Sequence, residues 1–109
     1  MKTIQLTMLH SKAAFLTANI TMSQEILTEK RFEHRELRQS IRDLQALQQE
    51  CDLFPEQTEQ LLETMRELSS EMRLQIRGIV QAIDELHTVL NRTWAEIEKL
   101  EEEMDNMNV

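Results

Sequence analysis

The sequence predicts an all-α protein of two long amphipathic helices, broken near Pro55. Three observations carry that reading. Ala, Glu, Lys, Leu and Arg supply 49 of the 109 residues, close to the half-share of coiled coils and long helices. One glycine and one proline are too few for a sandwich or barrel, where a turn recurs every ~8–12 residues. Apolar residues recur at alternating spacings of three and four, the period of a helical seam. Val, Ile, Leu and Phe number 29, too many for a simply disordered chain. The length suits one domain. The expectation is therefore one elongated domain, a coiled-coil hairpin or an extended coiled coil, assembling into a helical bundle.

Residues 1–10 alternate apolar and polar side chains at Ile4, Leu6 and Met8. That is a short strand pattern with no second strand to pair with, so the segment reads as a frayed helix start or a flexible N-terminus. Helix 1 is expected over 11–51. Its seam runs through Leu16, Ile20, Ser23, Leu27, Lys30, His34, Leu37, Ile41, Leu44, Gln48 and Cys51. The polar members weaken pairing and can fix register or partner choice. His34, at a core position, reads as a specificity residue or a pH-sensitive contact.

Residues 52–55 form the expected hinge. Proline lacks the amide hydrogen and disfavours helix for the residue before it, yet suits the first turn of a new helix. A kinked continuous helix is the alternative. Helix 2 is expected over 56–105, with a seam drawn through Leu61, Met65, Leu68, Met72 and Ile76 and on to Met104. Two successive spacings of four at 68–72–76 make a stutter, which locally unwinds a left-handed supercoil. Gly78 follows it, either as a point of close approach or as an exposed residue. Residues 106–109 read as a disordered tail.

Stripes this long must bury against something, since helix propensity alone leaves helices marginal in water. The seam residues Leu37, Ile41 and Leu44 on helix 1, and Ile83, Leu86, Leu90 and Ile97 with Trp94 on helix 2, are accordingly candidate partner-binding positions. The partners expected are other helical proteins or the chain itself. The sharpest polar feature is a basic stripe, Arg31, Arg35, Arg38 and Arg42, at spacings of four, three and four. These side chains share one helix face beside the seam, where arginine chooses partner and orientation. The alternative is a solvated face with helical pairs to Glu33 and Glu36. Glu96, Glu98, Glu101, Glu102, Glu103 and Asp105 form an acidic end with only Lys99 among them.

The formal charge of −8 argues against nucleic acid, whose phosphates need an excess of Lys and Arg. The charge is uneven: residues 1–54 balance at zero and residues 55–109 carry the whole −8. A single cysteine, Cys51, excludes an internal disulfide and suits a reducing compartment, cytoplasmic or nuclear. No apolar run approaches a membrane span, and the N-terminus makes a poor signal peptide. His10, His34 and His87 are far apart and no Glu-x-x-His motif occurs, so no metal, cofactor, catalytic group or small-molecule substrate is expected.

The functional expectation is a non-catalytic coiled-coil interaction protein, an adaptor or scaffold subunit. A second reading is a small acidic helical chaperone or inhibitory protein that sequesters a client helix. A third lays residues 13–42 on anionic lipid.

Overall fold

The computed structural model describes residues 1–107. The chain is all-α, with two helices and no strand among the described residues. Helix α1 spans Lys2–Glu50 and α2 spans Pro55–Met107. The break at Pro55 is a true turn, which removes the kinked-helix alternative. The amide of Cys51 still donates to the Leu47 carbonyl at 2.9 Å, and the amide of Thr58 donates to the Phe54 carbonyl at 2.9 Å. Phe54 thus caps α2 and Pro55 takes the first helical position, where its missing donor costs nothing. The Thr58 hydroxyl donates to the Asp52 carboxylate at 3.1 Å and ties the turn to the new helix.

Two compact units make up the chain, and each draws on both helices. One combines Met1–Glu25 with the segment from Gln81 onward; the other is Ile26–Val80. In the second unit, His34 meets Ser69 at 2.9 Å and Gln48 meets Glu59 at 3.3 Å. In the first, Lys2 meets Glu103 at 3.5 Å and His10 meets Glu101 at 3.8 Å. Partners on α2 fall in number as those on α1 rise, so within each unit the helices pair antiparallel, as in a hairpin.

Burial follows one heptad on α1 from residue 2. Every third or fourth side chain through Leu6, Leu9, Ala13, Leu16, Ile20 and on to Gln48 is buried or half-buried. The helix therefore begins at Lys2 and not at residue 11, in line with the helix-start alternative for the first ten residues. Residues 2–10 are helical because Leu6 and Leu9 continue the seam, and the strand-like alternation of Ile4 and Met8 lies on other faces of the helix. The predicted 106–109 tail is corrected in part, since Asn106 and Met107 are helical; residues 108 and 109 lie outside the described residues.

On α2 the seam is corrected. Leu62 is 0 % exposed and Ser69 7 %, whereas Leu61 and Leu68 are 52 % and 47 % exposed. The buried and half-buried positions run 58, 62, 65, 69, 72, 76, 79, 83 and on to 104, alternating four and three without a stutter. Drawing the seam through Leu61 and Leu68 in place of Leu62 and Ser69 creates the irregularity. With no stutter there is no local unwinding to explain at Gly78, and a Cβ built there meets nothing within 4 Å. It is a solvent-facing glycine.

Candidate functional site

In an antiparallel pair, the positions just outside the seam on one helix lie beside their counterparts on the other. In the Ile26–Val80 unit this brings arginines from both helices to one side. Arg38, Arg42, Arg66 and Arg73 line a hollow of about 280 Å³ with Ile41, Ser69 and Ser70. A second hollow of about 270 Å³ shares Arg38 and Arg42 and adds Arg31, Arg35 and His34. Six guanidinium groups thus line one groove on a protein of net charge −8. Arg66 and Arg73 are missing from the sequence reading. With the seam drawn through Leu61 and Leu68 their flanking position is hidden; with Leu62 and Ser69 it is plain.

Countercharge in the groove is sparse. Arg66 pairs with Glu59 at 3.5 Å, and Arg42 donates to the Gln39 side-chain oxygen at 3.2 Å. Glu33, an expected helical partner of the stripe, pairs with Lys30 at 3.7 Å. Among the described residues, Arg66 is the only one of the six arginines with an ion pair. All six are exposed. Guanidinium forks that are solvated and unneutralised bind carboxylates bidentately at little desolvation cost.

The seam candidates sit differently. Leu37, Ile41 and Leu44 are half-buried in the Ile26–Val80 unit. Ile83 and Ile97 are buried and Leu86 and Leu90 half-buried in the other unit. Their apolar surface is directed toward the paired helix of the same chain, which leaves only rims for a partner. Trp94 stands at the seam edge, exposed, with His10 edge-on at 5.8 Å between ring centroids. The acidic end lies beside residues 2–10 and is answered there by Lys2 and, when protonated, His10.

No group of three or more His, Cys, Asp or Glu side chains among the described residues is placed to hold a metal. Cys51 is exposed at the turn. Every buried side-chain nitrogen or oxygen among the described residues has a hydrogen-bond partner. No helix among them is long and apolar enough to cross a membrane. Compared with known protein families, curated proteins and solved structures, the chain matches none.

Proposed function

We propose that this chain is a non-catalytic coiled-coil interaction protein, an adaptor subunit whose arginine groove docks an acidic helix of a partner. One observation carries the reading: six arginines from two helices converge on one groove, and a single ion pair answers them. Like charges held side by side oppose the hairpin that assembles them, and a carboxylate-bearing partner reverses that sign. A partner helix with Glu or Asp every three or four residues presents its acids at the pitch of Arg31, Arg35, Arg38 and Arg42. Orientation follows from the charges and burial from the apolar rim, including Ile41.

The test uses a fluorescently labelled amphipathic peptide with a glutamate face, titrated with the full chain and read by anisotropy. Joint replacement of Arg31, Arg35, Arg38 and Arg42 by Glu weakens binding at least tenfold and leaves helical circular dichroism unchanged. Arg92→Glu, on the other unit, leaves binding intact. Equal affinity for the quadruple variant and the natural chain would remove the groove from the function.

A further inference from the structure

The segment Met1–Met22 is apolar on two faces. One is the seam. The other consists of Ile4, Met8, Phe15 and Met22, which are between 59 % and 68 % exposed, with Ser11 and Ala18 completing it. These residues follow spacings of four, three, four, three and four, the same heptad period as the seam. With the seam at positions a and d, they occupy c and f, the side of the helix turned away from α2. A helix with two apolar stripes on opposite sides is built to lie between two neighbours. One is α2 of the same chain.

We infer that the second is α1 of another copy, packed antiparallel about a two-fold axis beside residue 13. In an antiparallel helix pair, each c residue meets an f residue of the opposing helix, and the stripe read backwards fits the stripe read forwards. Ile4 falls opposite Met22, Met8 opposite Ala18 and Ser11 opposite Phe15, and the two-fold repeats all three contacts. Each large side chain except the Ile4–Met22 pair meets a small one, which is how facing helix layers interdigitate. A patch that contacts itself in this way is the requirement for a closed dimer.

Area and charge agree. Free Ile, Met and Phe side chains present roughly 200 Å² each, so the four exposed ones offer roughly 500 Å² per copy and about 1,000 Å² for the pair, the lower bound of a specific interface. Residues 1–24 contain no Asp or Glu, and Lys2 and Lys12 are their only Lys or Arg. An acidic or basic partner helix would find little to pair with. The one like-charge approach is Lys12 to its copy near the axis. Glu96 and Glu103 line the same hollow as Lys12 and Lys99, so the charges there balance. That hollow, about 590 Å³, also contains Met8, Leu9 and Leu100 and borders the stripe on its apolar side.

The test is the solution mass of the full chain by sedimentation equilibrium, with circular dichroism alongside. The expected mass is twice 12.9 kDa, and added salt holds or tightens the dimer, because apolar contact and screened lysines drive it. Phe15→Glu, on an exposed side chain, weakens the dimer at least tenfold without loss of helix. For orientation, Ala14→Cys in a Cys51→Ser background cross-links to its own copy on mild oxidation. Glu25→Cys does not, since that residue lies ~36 Å from its copy in this arrangement at 1.5 Å per residue. A monomer would overturn the inference, as would a dimer indifferent to Phe15→Glu. Cross-linking through Glu25→Cys alone would overturn the antiparallel pairing. A monomer that sediments with anionic vesicles, and loses that on Phe15→Glu, would give the stripe to a lipid surface instead. Because salt weakens arginine–carboxylate docking, a salt-dissociated dimer would likewise assign association to the groove and overturn the stripe.

Discussion

His34 and Ser69 face each other across the seam at 2.9 Å, one half-buried and one buried. Either group can donate, according to the imidazole tautomer. A polar pair inside the seam weakens it and at the same time marks its register. A slip of the helices would leave both groups buried without a partner, and a buried unpaired polar group costs about 1–3 kcal/mol. The residue-scale prediction is a double-mutant cycle by denaturant unfolding. Ser69→Ala alone lowers stability by about 1 kcal/mol. His34→Leu together with Ser69→Ala is near neutral or more stable, since both polar partners leave together. A coupling energy of zero would show that the two side chains do not bond in solution. His34 was legible as a core polar position from spacing alone. Its partner was not, because Ser69 looks like a surface residue beside Leu68.

At the scale of the helix, the seam is decided by neighbours that spacing cannot rank. Leu61 and Leu62 are both leucine and adjacent, and either continues a three–four pattern. The antiparallel partner decides between them, and that information lies across the turn, between the separations of 11 and 35 residues at the flanking Gln48–Glu59 and His34–Ser69 contacts. Two substitutions read out the choice. Leu62→Ala, at a fully buried side chain, lowers stability by about 2–5 kcal/mol. Leu61→Ala, at an exposed one, changes it by less than about 0.5 kcal/mol. Equal losses would restore the stuttered register. Gly78 gives a second reading of the same helix. With open space where its Cβ would be, Gly78→Ala raises stability by about 0.5–1 kcal/mol through helix propensity alone; a loss there would mean that another chain packs against that face. The helices, the turn at Pro55 and the arginine stripe were all legible, because each rests on local chemistry. The outer stripe was hidden by reading Ile4 and Met8 with period two, although with Phe15 and Met22 they keep period seven.

Across the whole molecule, charge is sorted by sign. Arginines collect on the groove of one unit, and glutamates collect at the C-terminal end of α2 in the other. The four ion pairs found among the described residues are all partly exposed, and such pairs contribute ~0–1 kcal/mol each. The like-charge contacts within each cluster are of the same kind and opposite sign, and a net charge of −8 adds self-repulsion. Screening acts on both terms, and the repulsive one includes the net charge of −8 as well as the two clusters. The free protein should therefore become more stable as salt rises from ~20 mM to ~500 mM, where the screening length drops from beyond 10 Å to a few ångströms. The gain is on the order of 1 kcal/mol, a rise of ~4–8 °C in Tm for a domain of this size. Thermal melts at fixed protein concentration measure it, made in the Phe15→Glu background so that salt-dependent self-association does not enter the comparison. Neutralising the groove with Arg→Gln at Arg38 and Arg73 should raise the low-salt Tm and flatten the salt dependence together. A Tm that falls with salt would mean that the ion pairs outweigh the clusters, and the groove would then be a stabilised surface with no need of an acidic partner.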